Sequence, residues 1–598
     1  MTRALRRTLP AIVACLLGAA AWKAGARLPA FDERRREFAE NEEGRAKREL
    51  AHAVARAALS RGISGTPPAS VEGTTRGFDV VSYDISWELD PGIRILSGSS
   101  VTRLAGFAKS TASVAFDLDR AYSVASVTRD GAPVAGTTFA DDRLTIPLVP
   151  PLAAEERATI GISWSGIPPA AAALAWWQHA TGMAATSVAE PFGARQFWPC
   201  VDAPDDKAMA TVTATVPSGY VVASAGLGTS VALPDGRIRS TWRLPQPIST
   251  YLVSLNVANY QVVEDAYKAM DGRIMPIRSY LMPENAAANA PRLAAIKDHI
   301  AVFASLFGEY PFVDTKYGIV SSWFQGGMEH PTLTSIGETI LSNTPRDITI
   351  LLVHELSHQW WGDRVTMRTW DDIWLNEGFA TYSEVLYQEK ALGRNPGATL
   401  RASYDDGLYG GALAPSVVAD PADPFAHSGA VYDKGGWFLH MLRRLVGDDA
   451  FFSGLKAYGD AHAWGTATRG ELRAIFEQRT GLDLKQFWDQ WLETPFRPEF
   501  RATYRTSADA STVTLTVTQA QGHAVLHPTA APSDRPFYVF PLVVRLTYLD
   551  GTTADLTVIP TDFTTTATFP NPAKKIVAGI ALDPGSDVLK VVLSTGPG

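Results

Sequence analysis

The stretch LLVHELSHQWWGD, residues 351–363, places Glu355 between His354 and His358, and a further glutamate, Glu377, follows after 18 intervening residues. On an α-helix, side chains four positions apart project from one face, so both imidazoles can reach a single ion. The upstream run SNTPRDITILLV offers a cap at Thr344 and a proline suited to the first turn, and Gly362 can end the helix. A third ligand must then come from another element. Glu377 opens the helical pattern WLNEGFATYSE, and the gap suits a helix end, a connection and a second helix returning beside the first. Zinc held by three protein ligands keeps a fourth position for water and lowers the pKa of that water to about 7. Glu355 points toward the flank where the water would sit, so the spacing predicts a metal site with an adjacent base.

At 598 residues the chain is too long for one hydrophobic core, and the pattern divides it. The start, MTRALRRTLPAIVACLLGAAAWKAGA, has three arginines before an apolar run of about 15 residues, short for a membrane span. Residues 1–26 therefore read as a signal peptide or an N-terminal membrane anchor. The protein is expected outside the cytoplasm, exported or membrane-attached. IVAC resembles a lipobox that would lipidate Cys15, but the apolar run continues past that cysteine. Residues 27–75 are charged and helix-forming, a solvated spacer. Residues 76–270 show short alternating strands such as FDVVSYDISWEL and RATIGISWSG, and 271–496 switch to helical periods. Strands return over 497–598, as in STVTLTVTQAQ and FPLVVRLTYLDG, and suggest a β-sandwich. A net charge of −8 leaves no basic footprint for nucleic acid, and two cysteines exclude a disulfide framework.

The segment VHELSHQWWGDRVTMRTWDDIWLNEGFATYSE resembles the gluzincin aminopeptidase family, the M1 metallopeptidases, whose hallmark is HExxH, 18 residues and then Glu. The likeness extends over most of residues 76–496. EPFGARQFWPCVDAPDDKA is similar to a segment of that family's N-terminal β domain, and VYDKGGWFLHMLRRLVGDDAF to its catalytic-tyrosine helix. The resemblance implies an α+β multidomain fold: an N-terminal β-sheet saddle domain, a thermolysin-like, mostly helical catalytic domain, and the C-terminal β-sandwich. It also implies one Zn2+ per chain on His354, His358 and Glu377, and peptide substrates with a free N-terminus. Glu355 is the implied general base and Tyr432 the implied donor to the oxyanion.

FQGGMEHPTLTS resembles the family's G-A-M-E-N strand, which transfers to Gly326, Gly327, Met328, Glu329 and His330. Glu329 is the implied ligand of the substrate's α-ammonium, and Glu190, ahead of PFGAR, the second. Buried carboxylates suit that task, since a desolvated ammonium must be paired. Gly327 in place of alanine is expected to be mild, because the strand offers its backbone. His330 in place of asparagine alters shape and polarity near the side-chain pocket. The larger family members carry a helical superhelix after the peptidase module; the β pattern after Pro495 leads us to expect a more open cleft here. Epoxide hydrolysis of the leukotriene hydrolase type and a catalytically impaired peptide-binding scaffold are the alternative functions. Asp371 and Asp372 are candidates to orient a ligating imidazole or to cap a helix, and Glu384 could serve as an ion-pair partner. Trp360, Trp361, Trp370 and Trp374 are expected in the core, and Cys200 as a buried structural thiol.

Overall fold

The computed structural model describes residues 76–107, 110–169, 173–343, 345–404, 417–494, 497–520 and 537–598. The expected leader with Cys15, the spacer over 27–75 and the Thr344 cap lie outside these residues.

The N-terminal β domain is built on an eight-stranded sheet whose strand Phe78–Asp90 pairs antiparallel with Ile95–Gly106 and parallel with Lys207–Val216. Alternate residues of Phe78–Asp90 turn inward, burying Tyr83, Ile85, Trp87 and Leu89, as a pleated strand with one covered face requires. A register shift between Val80 and Ser82 accounts for the one break in that alternation. Trp87, Trp164 and Trp198 are among the largest fully buried side chains of this domain. A four-stranded and a three-stranded sheet complete it.

The peptidase domain starts earlier than its sequence suggests. Gln261–Lys268 and Ile274–Leu281 form an antiparallel hairpin that straddles residue 270, and both belong to a five-stranded sheet with Ile319–Ser322, Thr334–Gly337 and Gly327–Met328. The boundary therefore moves from 270 to about residue 260. The alternating pattern placed this strand with its predecessors, whereas its pairing partner lies ahead of it in the chain. Gly327–Met328 is the edge strand, antiparallel to Thr334–Gly337 with Gly327 opposite Ile336 and Met328 opposite Ser335.

Helices then carry the chemistry: α1 (Ile296–Phe307), α2 (Pro345–Ser357), α3 (Trp374–Leu392) and α4 (Gly435–Val446). α3 is buried on every side along Trp374–Leu386, the polar side chains of Asn376, Glu377, Thr381, Ser383 and Glu384 included, so no face of it is left to solvent there. It ends at Gly393, whose positive φ of 66° supplies the left-handed C-cap that a Cβ would resist. Trp360, Trp361, Trp370 and Trp374 fill the core around these helices, and Cys200 is buried and free. Over 497–598 the described strands form a four-stranded and a three-stranded sheet. Their inward residues alternate, with Phe500, Ala502 and Tyr504 on one sheet and Leu542, Val544 and Leu546 on the other.

Candidate active site

His354 lies in the last turn of α2, and His358 stands one residue past its end. Their rings are 4.9 Å apart. From the start of α3, Glu377 brings Oε2 to 3.2 Å from His354 Nε2 and 3.6 Å from His358 Nε2. Tetrahedral ligands at about 2.0 Å from one zinc ion stand about 3.3 Å apart, so the three atoms fit that ion.

Each imidazole is oriented through its other nitrogen. His354 Nδ1 donates to Glu384 Oε1 at 2.8 Å, and His358 Nδ1 donates to the Trp361 carbonyl at 3.0 Å. Both acceptors can only accept, which leaves Nε2 of each ring as the ligating atom. Glu384 in turn accepts from the Tyr404 hydroxyl. The orienting carboxylate is thus Glu384, not Asp371 or Asp372. Those two receive Arg469 instead, at 3.1 and 2.8 Å. The signal for Glu384 was its position seven residues after Glu377, two turns along the same helix face.

Burial alone would push Glu377 up, but the two imidazoles outweigh it and hold its carboxyl well below the usual range. Burial would likewise lower His354, yet the carboxylates of Glu377 and Glu384 raise it to about 10. Glu355 is buried and pushed up to about 8 despite the neighbouring imidazoles. Its carboxylate leans on the motif strand: a Cβ at Gly327 would lie 2.1 Å from Glu355 Oε1. Glu355 thus occupies the space that an alanine methyl at 327 would take, and its side chain would have to shift to admit one.

Glu329 and Glu190 arrive from two domains. Glu329 directly follows the edge strand, and Gln359 Nε2 donates to its carbonyl at 3.1 Å, which ties this segment to the turn after α2. Gly326 is fixed by the bond from Gly337 N to its carbonyl at 2.9 Å, and Met328 is buried. Glu190 lies just before the turn that includes Ala194–Gln196, which the Arg195–Asp202 ion pair closes at 2.8 Å. Side-chain oxygens of Glu190, Glu329 and Glu377 lie within 4.8 Å of one another. Both glutamates are buried, and neither Oε1 has a hydrogen-bond partner. Burial raises Glu190 well above its usual range, and the nearby charge of Glu329 adds to the effect; burial also raises Glu329. Tyr432 sits on the wide helical turn Ala430–Lys434 that leads into α4, with its ring nearly parallel to His354 at 5.9 Å. Burial and the surrounding carboxylates push its phenol up and keep it a proton donor. His330 is fully buried and meets Ser335 Oγ at 2.9 Å through Nδ1.

A β domain lending one carboxylate to a helical domain, with a His–His–Glu triad beside an acidic pocket, defines the gluzincin peptidase architecture. The Peptidase M1 N-terminal domain model matches residues 80–252 and the Peptidase family M1 domain model residues 293–491, together more than half of the chain. The protein belongs to peptidase family M1. Aminopeptidase N of Streptomyces lividans is 30% identical over 374 residues, 56% of this chain and 42% of that protein. Glutamyl aminopeptidase of Bos taurus is 28% identical over 320 residues, 50% of this chain and 33% of that protein. The chain thus spans less than half the length of these curated relatives. The crystal structure of an M1 zinc metallopeptidase from Deinococcus radiodurans superposes with a TM-score of 0.63 at 27% identity, over 72% of this chain and 97% of that one. Legionella pneumophila aminopeptidase A in complex with aspartic acid shares the fold, with a TM-score of 0.72 at 17% identity over 86% and 59% of the two chains. Family membership implies zinc, and the donor set of His354, His358 and Glu377 fits it.

Proposed function

We propose that the protein is a zinc-dependent aminopeptidase that removes the N-terminal residue from peptides with a free α-amino group, using one zinc per chain. The observation that carries this reading is the pair of unpartnered, buried carboxylate oxygens on Glu190 and Glu329, within one amino-acid residue's reach of Glu377. A substrate ammonium placed there pairs both charges and sets the first peptide carbonyl beside the zinc ligands. Bound zinc supplies Lewis acidity toward that carbonyl and toward water. Gly326–Met328 offers an edge-strand backbone along which an extended peptide can lie. Glu355 takes the proton of the attacking water and passes it to the leaving amine. Tyr432 donates to the oxygen that gains charge, a contact whose loss typically costs about 100- to 1000-fold in rate.

A panel of aminoacyl-anilides with and without chelator tests class and metal dependence together, with N-acetylated analogues as comparators. We expect hydrolysis of the free-amine substrates alone, abolished by chelation and restored by zinc. Cleavage of acetylated peptides at comparable rates would overturn the anchor, since blocking the amine leaves two buried carboxylates unpaired. Glu329→Gln should raise KM about tenfold or more. Export or membrane attachment through residues 1–26 is part of the same reading, supported by the arginine-led apolar run. Cell fractionation and N-terminal sequencing of the mature protein test it, and a purely cytoplasmic protein with an intact leader would exclude it.

A further inference from the structure

Lys207 opens the strand Lys207–Val216 of the N-terminal β domain, yet its ammonium is spent on the peptidase domain. Nζ donates to the carbonyls of Asp363, Arg364 and Gly465 at 2.8, 3.3 and 3.2 Å and to Thr366 Oγ1 at 3.0 Å. Four acceptors thus share three N–H bonds. Three of them lie in the turn that follows His358. That turn is closed by Gly362 N on Val365 O at 2.7 Å and Asp363 N on His358 O at 2.9 Å. Gly362 takes a φ of +141°, and a Cβ there would sit 3.2 Å from His358 Nδ1, so the backbone passes directly behind the imidazole. Thr366 Oγ1 donates onward to the Gly362 carbonyl. The carbonyl that orients His358 belongs to Trp361, the residue before that glycine.

A second observation concerns charge in the same turn. Asp363 is fully buried, and neither of its carboxylate oxygens has a hydrogen-bond partner. Burial pushes this carboxyl well above the usual range, the nearby charge of Glu329 adds to the shift, and the ammonium of Lys207 opposes it. Without Lys207 the Asp363 carbonyl has no donor, while those of Arg364 and Gly465 keep the amides of Trp464 and Thr366, and the buried acid has less compensation. Both costs are relieved by the turn swinging outward, carrying the Trp361 carbonyl away from His358.

We infer that Lys207 is a positioning residue for the peptidase centre: from the N-terminal β domain it clamps the Gly362–Thr366 turn and thereby fixes the His358 ring for zinc. This rests on the reading of His358 as a zinc ligand. Groups that orient a ligating histidine typically contribute about 10- to 100-fold to metal affinity when removed. The experiment uses the full chain carrying Lys207→Met. Zinc affinity is measured by competition with a chromogenic chelator, and amide hydrogen exchange of residues 362–366 is followed in the zinc-free protein. Expected are a 10- to 100-fold weaker zinc affinity, faster exchange in that turn, and a KM at saturating zinc within twofold of wild type. Zinc affinity within twofold of wild type, or unchanged exchange, overturns the inference even if thermal stability drops. Arg364→Ala is the control, since its guanidinium pairs with exposed Asp460 while its carbonyl still receives Lys207. An equal loss of zinc affinity in that variant also overturns the assignment. Should Lys207→Met fail to fold, Thr366→Val removes one acceptor and the bond to Gly362; a few-fold weaker zinc affinity is expected, and none overturns the inference. Failure of the aminopeptidase reading shows separately, as a wild-type protein without hydrolysis, while the exchange measurement reads the clamp with no metal present.

Discussion

At Gly327 the absence of a side chain is what lets the Glu355 carboxylate rest against the motif strand. Gly327→Ala should displace that carboxylate and lower kcat by about 10- to 100-fold, since misplacing a reacting group by an ångström has effects of that size. KM and the denaturation midpoint should hardly move; steady-state kinetics decide, and an unchanged kcat would refute the packing argument. His299 and His330 are a different kind of buried residue, imidazoles that burial keeps neutral, at about 4 and about 3. The unfolded chain takes up those protons near pH 6.5. Between about pH 4 and 6.5 the unfolded state therefore binds more protons than the folded one, so stability rises with pH across that window and is lost on acidification. His330→Asn should flatten the pH dependence of the unfolding free energy there by about one proton, which denaturant titrations at several pH values can resolve.

Among the elements, the crossing of α3 and α4 decides where Tyr432 falls. A Cβ built on Gly378 would stand 3.0 Å from the Gly435 Cα, and one on Gly435 would stand 3.0 Å from the Gly378 Cα. The two backbones thus touch through hydrogen alone, and the turn Ala430–Lys434 is drawn in beside His354. Gly435→Ala should wedge the helices apart, destabilise the protein by about 1–3 kcal/mol and lower kcat more than it changes KM. Because Gly378→Ala wedges the same crossing apart, the double variant should cost less than the sum of the singles. Chemical denaturation of the three variants checks this, and strict additivity would show that the glycines act independently. The motifs NEGFA and DKGGW hold both glycines in plain view, but nothing local says that they meet across two helices.

For the molecule as a whole, the peptidase centre is shared property of two domains. Glu190 and Lys207 come from the N-terminal β domain, Asn376 of α3 donates to the Tyr251 hydroxyl at 3.1 Å, and Lys316 reaches back to the Ser224 carbonyl at 3.2 Å. With so many polar links buried across the boundary, the two domains should melt together in one calorimetric transition. Chelation should lower that single transition by several degrees, because an ion bound only by the folded protein stabilises it and that contribution goes with the ion. Two resolved transitions, with only the later one metal-dependent, would disprove the coupling. The sequence carried the ligand spacing with its adjacent glutamate and the switches between strand and helix periods as local pattern and fixed offsets along the chain, and the resemblance of its motifs pointed to Tyr432, Glu329 and Glu190. Only the tertiary structure decided which acid orients His354, which strand pairs across residue 270, what rests against Gly327 and what Lys207 holds. Those depend on contacts between residues far apart in the chain, where periodicity carries no information and packing alone selects the partner.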